Sequence, residues 1–348
     1  MVHADSPRYR VPLLVTIIMA ACCALSAAAE TKRDTLVYKP CKDTVKLVKA
    51  QVVRIDKDTS YIFYKTRPFG FVGYVPRNLV DFCRIGTRKK NLPVVGGVIL
   101  STALLVAFDQ PILDASQQFG RYINLDPERK FKTVISMSPG GFYVPVLDVP
   151  QNLNSTFYFL GEGWPSVLIA GGFWGYGSFA RDYRALQTSS QLAEMFLTLA
   201  ITTQFIKRIS GRESPFVATQ PGGKWRPFPN PAYYQKHVPS HDAFPSGHLA
   251  TAMATVTIIS GNYPECRWVK PVGYGVMTII GYSMMNNGVH WISDYPLALA
   301  IGYAYGKIAI SHGRHVIYQK PKGNSFTGSL TPVLYGSNGY GLCYRVQF

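Results

Sequence analysis

Hydrophobic positions along the chain fall into three regimes. Val11 to Leu25 is an apolar run preceded by Arg8 and Arg10 and followed by Ala27-Ala28-Ala29. Positive start, apolar middle and small-residue end predict a secretory signal peptide cut after Ala29. From Glu30 to Lys90 the pattern shortens. Val45–Ile55 alternates among β-branched residues, and Tyr61–Tyr64 and Phe69–Val75 follow turn signals, which predicts three to four strands. Beyond Lys90, six apolar segments have helical length: Val94–Phe108, Trp164–Ala180, Leu186–Ile209, Ser246–Ser260, Val272–Met285 and Trp291–Ser311. The tail from Lys320 is rich in Gly and Ser. Its alternation predicts a hairpin of Thr331–Tyr335 with Gly341–Phe348, expected to pair with the N-terminal strands.

Two stretches between these runs are polar and punctuated. Asp109–Gln151, with Pro111, Pro127, Pro139, Pro145 and Pro150, reads as loop. Ser214–Pro245 holds Lys224, Arg226, Lys236, His237 and His241, and reads as an active-site lid. Three runs without Asp, Glu, Lys or Arg are each long enough to cross a bilayer: Asn91–Phe108, Gly163–Ala180 and Pro271–Ser293.

Charge narrows the partners. The net charge is +17, and Glu30–Lys90 alone holds 15 Lys/Arg against 6 Asp/Glu. Such a balance suits an anionic membrane surface or phosphorylated substrates. No nucleic-acid-binding motif accompanies it, so nucleic acid is not an expected partner. After signal cleavage Cys41, Cys83, Cys266 and Cys343 remain, in an oxidising compartment and without metal-ligand spacing. Cys41 and Cys83 bracket the strand module and are expected to form a disulfide.

The chemistry gathers in three blocks. Pro245-Ser246-Gly247-His248 opens an apolar helix. Ser246 is a good N-cap and Gly247 leaves the backbone N–H groups bare, so the helix start attracts an anion. Upstream, Lys207 and Arg212 can hold a phosphate, Arg as a fork. Downstream, His290 and Asp294 are spaced i, i+4 and share a face if helical, so the carboxylate can fix the imidazole tautomer.

These blocks, in this order, resemble the type 2 phosphatidate phosphatase superfamily, which includes bacterial acid phosphatases and vanadium haloperoxidases. The pattern is K-x6-R-P, P-S-G-H and S-R-x5-H-x3-D, and the resemblance covers roughly Pro93 to Gly313. It implies a mainly α chain: a six-helix antiparallel bundle flanked by the small β module and the C-terminal hairpin. The expected layout is signal peptide 1–29, basic β module 30–90, helical phosphatase domain 91–313 and tail 314–348. The resemblance further implies a metal-independent, cofactor-free phosphatase acting on phosphomonoesters or pyrophosphates, probable substrates being lipids. His290 is then the nucleophile that becomes phospho-histidine, Asp294 its orienting acid and His248 the proton donor. Lys207, Arg212, Ser246 and the Gly247 N–H bind phosphate.

Two positions depart from the pattern: Ser214 and Met284 stand where the family has Arg. Arg212 is expected to take over part of the clamp, with Lys224 or Arg226 folding over the site and Ser283 as a further polar candidate. Two alternatives stay open, a haloperoxidase-like enzyme and a non-hydrolytic lipid-binding envelope protein. The expected location is the bacterial envelope, facing the periplasm.

Overall fold

The computed structural model describes residues 31–41, 44–138, 144–318, 327–335 and 339–347. The expected signal peptide lies outside them. In chain order the elements are β1 (Thr31–Cys41), β2 (Thr44–Arg54), β3 (Thr59–Tyr64), α1 (Val75–Thr87), α2 (Leu92–Val106) and α3 (Asp109–Tyr122). Then come β4 (Phe131–Met137), β5 (Val144–Pro150), α4 (Leu153–Phe159), α5 (Gly163–Phe179), α6 (Tyr183–Ser210) and α7 (Pro231–Lys236). The last are α8 (Gly247–Asn262), α9 (Val269–Asn286), α10 (Tyr295–Ser311), β6 (Arg314–Tyr318), β7 (Thr327–Tyr335) and β8 (Gly339–Gln347). The chain is mainly helical with small sheets.

All six apolar runs form helices, and the turns between them have chemical causes. Asp182 caps α6 by accepting from the Ala185 N–H at 2.9 Å, and Gly211 ends that helix at φ +57°. A Cβ at Gly211 would collide with the Arg226 carbonyl, so the glycine lets the following loop fold tightly over the helix end. Helix α8 packs between α10, α9 and α6 in the main core, with Ala250, Ala254, Ile258, Ile280 and Ile301 buried. Gly302 and Gly306 of α10 lie against the α8 backbone at Ala250 and Ala254, where a Cβ on Gly302 would sit 2.2 Å from a carbonyl oxygen. These two helices therefore meet closer than side chains would permit.

The N-terminal sheet has the order β1-β2-β3-β6, all antiparallel. Its Val53 and Phe63 pack on Tyr183, and Gln51 accepts a hydrogen bond from the Arg184 N–H at 2.8 Å, which docks the sheet on the start of α6. The tail thus does reach the N-terminal strands, but through β6. The expected hairpin forms as β7 and β8, in a two-stranded sheet of its own.

Three expectations are corrected. Phe69–Val75 is a 3-10 turn leading into α1, not a strand: Phe69 has φ +56°, and Pro76 in the first helical turn favours a helix. Leu79, Phe82 and Ile85 of α1 then pack against the core at helical spacing. Asp109–Gln151 is no loop. Pro111 sits in the first turn of α3, where proline is tolerated, and β4 and β5 form a hairpin. Finally, Cys83 is an exposed free thiol on α1, so the Cys41–Cys83 disulfide is not formed.

Among the described residues one helix, Lys89–Val106, is long and apolar enough to cross a membrane, and none of its 18 residues is buried. Of the other two candidate spans, α5 has 17 residues and α9 ends at Asn286, short of Ser293.

Candidate active site

The end of α6, the start of α8 and the turn before α10 converge on one place. Lys207 stands in the last turn of α6, and Ser246 caps α8, its hydroxyl accepting from the Leu249 N–H at 3.4 Å. The Ser246 N–H in turn donates to the Asp294 carbonyl at 3.2 Å, tying the second and third blocks together. His290 and Asp294 do not lie on a helix as expected. They flank a 3-10 turn, Ile292–Asp294, that precedes α10. The turn still brings them together: His290 Nδ1 donates to Asp294 Oδ2 at 3.3 Å, and the Trp291 N–H donates to the same oxygen at 2.8 Å.

The two histidine rings face each other in a T-shape with centroids 5.9 Å apart. His248 Nε2 is shielded from water and has no hydrogen-bond partner among the described residues. Burial holds this imidazole well below its ordinary pKa, helped by the neighbouring charges of His290, Lys207 and Arg129. Tyr158 lies 4.4 Å from the His248 ring. Lys207, Gly247 and His248 line a cavity of about 610 Å³ that continues along the apolar surfaces of Trp164, Phe196 and Leu199. Lys207 Nζ is 3.2 Å from Asp242 Oδ2 at its edge.

Arg212 is not at this cavity. It is fully buried, and its guanidinium is spent inside the protein. One nitrogen donates to Asp294 Oδ1 at 2.6 Å and Ser293 Oγ at 2.7 Å; the other donates to the Asp109 carboxylate and to the Gly222 carbonyl at 2.7 Å. The expected phosphate clamp is therefore a brace behind Asp294. Asp109 also accepts from the Ser293 N–H at 3.0 Å and its hydroxyl at 2.7 Å. Burial pushes the Asp109 carboxyl upward, against the pull of Arg212.

The other candidates are also displaced. Arg226 pairs with Glu213 Oε1 at 2.5 Å, and Lys224 is exposed with its N–H donating to Glu213 Oε2 at 2.9 Å. Glu213 thus pins the loop, holding the Arg226 guanidinium and the Lys224 backbone. Ser283 Oγ donates to the Asn154 carbonyl at 2.7 Å, a helix-to-helix tie. Met284, where the pattern has Arg, is fully buried and receives the Ser246 hydroxyl on its sulfur at 3.6 Å. Ser214 is buried, its N–H donating to the Pro239 carbonyl at 2.9 Å. Sequence reasoning missed Asp109, Ser293 and Tyr158. The one signal for Asp109 was a lone acid closing an apolar run. Among the described residues no group of His, Cys, Asp and Glu has the arrangement of a metal site.

Residues 189–315, which carry all three blocks, match the model of the PAP2 superfamily. That segment, a little over a third of the chain, is PAP2-like. Among proteins of known role, it is similar to a lipid A 1-phosphatase of Porphyromonas gingivalis, 33% identical over 88 residues. That match covers 24% of this chain and 19% of the relative, so the chain spans about a fifth of that protein's length. Among solved structures it matches a transmembrane PAP2 type phosphatidylglycerolphosphate phosphatase from Bacillus subtilis. The match has 16% identity and a TM-score of 0.34, covering 62% of this chain and 93% of that one. The PAP2 match begins inside α6 and ends inside β6, so α1 to α5 and the β4–β5 hairpin lie outside it.

Proposed function

We propose that this PAP2-like protein is a lipid phosphatase working through a phospho-histidine on His290. The observation that carries the reading is an acid-held imidazole packed against a second, unpartnered imidazole that lines one cavity together with a lysine. In the first step His290 Nε2 attacks phosphorus as the bond to the leaving oxygen breaks, and Asp294 stabilises the imidazolium that results. His248 gives its proton to the departing alkoxide. Its low resting pKa fits a site waiting for an anion: the negative charge of a bound phosphate opposes the burial and the cations, and returns the proton. In the second step water attacks the phospho-histidine, His248 takes the water's proton, and phosphate leaves. Lys207, the Gly247 N–H and the start of α8 hold the phosphoryl oxygens throughout. This chemistry is complete without a metal.

The apolar continuation of the cavity supports a lipid tail over a small soluble ester. A membrane location is supported by α2, whose Val94, Ile99, Leu100 and Leu104 are exposed, and by Arg88, Lys89 and Lys90 immediately before it. An apolar helix beside a basic cluster suits an anionic bilayer surface. Export to the envelope and the bundle layout of the domain belong to the same proposal. The test is phosphate release from lipid A 1-phosphate and phosphatidate by the full chain in detergent, with a chelator present. A radiolabelled protein that is stable in base and labile in acid is expected to be trapped by rapid quenching. Absence of both release and label across the lipid panel refutes the reading.

A further inference from the structure

The site as built is short of positive charge. A transferring phosphoryl group spreads its charge over three oxygens. Ser214 and Met284 are neutral, Arg212 is consumed by Asp109 and Asp294, Arg226 by Glu213, and Lys207 is shared with Asp242. Something else must meet the anion if it binds here.

One cation near the cavity is not spent. Arg129 lies just before β4, on the solvent side, with its guanidinium carbon 5.6 Å from the Tyr158 ring centre and 5.8 Å from that of Phe131. Tyr158 is the ring that lies against His248. The two acids next to Arg129 in sequence are taken by its neighbour: Lys130 Nζ is 2.8 Å from Asp126 and 3.1 Å from Glu128. Arg129 makes no ion pair among the described residues, and its fork is held over aromatic faces rather than swinging in solvent. Its charge is felt at His248 and at Glu162, which lines the cavity.

We propose that Arg129 is an anion-binding residue of this site, reaching over Tyr158 to hold a phosphate oxygen beside His248 and replacing charge lost at positions 214 and 284. The inference rests on the phosphatase reading and adds to it a residue from outside the PAP2-matched segment. The geometry also explains why Lys130 holds both adjacent acids: a carboxylate free to pair with Arg129 would neutralise it.

The experiment uses the full chain in detergent micelles, comparing wild type, Arg129→Gln, Arg129→Lys and the surface control Lys57→Ala. Two quantities are read: kcat and KM for the best lipid phosphate of the panel, and binding of inorganic phosphate by calorimetry, which needs no turnover. Arg129→Gln is expected to raise KM and weaken phosphate binding by roughly ten- to a hundredfold, the range for a lost hydrogen bond to a charged group. Melting temperature should stay unchanged, Arg129→Lys should recover part of the loss, and Lys57→Ala should show none. Unchanged phosphate affinity and KM in Arg129→Gln overturns this proposal while leaving the phosphatase reading intact. A wild type that turns over no ester yet loses phosphate binding in Arg129→Gln supports the anion role and sinks the phosphatase reading alone. A wild type that neither binds phosphate nor turns over any ester of the panel overturns both.

Discussion

Helix α10 carries a buried histidine–carboxylate pair at each end, and the two pairs do different work. At its start His290 meets Asp294 at 3.3 Å; at its end His312 Nδ1 meets Glu194 Oε1 at 2.6 Å. The second pair is occupied by structural partners. Asn78 Nδ2 donates to Glu194 at 2.7 Å, Gln187 donates to the His312 carbonyl at 3.0 Å, and Tyr74 stacks on the His312 ring at 4.4 Å. The first pair opens onto another imidazole whose Nε2 has no partner, and beyond it onto a cavity. A buried histidine–acid pair is therefore not by itself a sign of catalysis. What distinguishes the candidate site is the unsatisfied polar atom beside the pair, with room and positive charge in front of it.

The comparison can be broken most sharply at His290. His290→Ala is expected to cut turnover by roughly a thousandfold or more while the protein stays folded, as the loss of a nucleophile does. Loss of activity accompanied by loss of the thermal transition would place His290 in the same structural class as His312.

Arg212→Ala comes next. Removing it leaves Asp109 and Asp294 buried without their shared partner, a cost of about 3–5 kcal/mol for a broken buried pair. Turnover in the surviving folded fraction should also fall, because Asp294 loses the fork that aims it. Arg212→Lys should rescue little, since one ammonium cannot reproduce two parallel arms. Denaturant unfolding and single-turnover rates separate the two effects.

Glu194→Gln tests the second pair. It should lower stability by about 1–3 kcal/mol, with kcat of the folded protein unchanged. A selective fall in kcat would mean that the far end of α10 is coupled to the chemistry.

The smallest effect is a pH effect at Glu162, whose carboxyl burial pushes up to about 7. A carboxyl raised in the folded state costs nothing while both states are protonated; the penalty grows as pH rises from the ordinary value of 4.5 to the folded value and is complete above it. Glu162→Gln should therefore come closest to wild type in melting temperature near pH 4 and exceed it most near pH 8. Equal melting temperatures at both values would show that the carboxyl is not desolvated in solution.

Much of this was legible in the sequence, for definable reasons. The six long apolar helices announce themselves because charges are sparse and the apolar runs have helical length. His248, His290, Asp294 and Lys207 are legible because each sits in a short block whose spacing survives. The misreadings are equally specific. Phe69–Val75 alternates like a strand, yet Phe69 turns left-handed and Pro76 starts a helix. Asp109–Tyr122 was obscured by Pro111, which marks a helix start as readily as a break. The fate of Arg212 was not legible at all, because its partner Asp109 lies 103 residues away in that misread segment. Arg129 was invisible for the same reason: its meaning depends on Lys130 and Tyr158 being where the fold puts them.

The glycine seam between α8 and α10 has one more consequence. With Gly302 and Gly306 seated against the α8 backbone, those two helices have no slack through which to slide or part. One carries His248 and the other follows directly from His290 and Asp294, so the seam fixes the spacing of the proposed catalytic pair. The opposite wall of the cavity, where Tyr158, Glu162 and Trp164 stand, lies outside that seam.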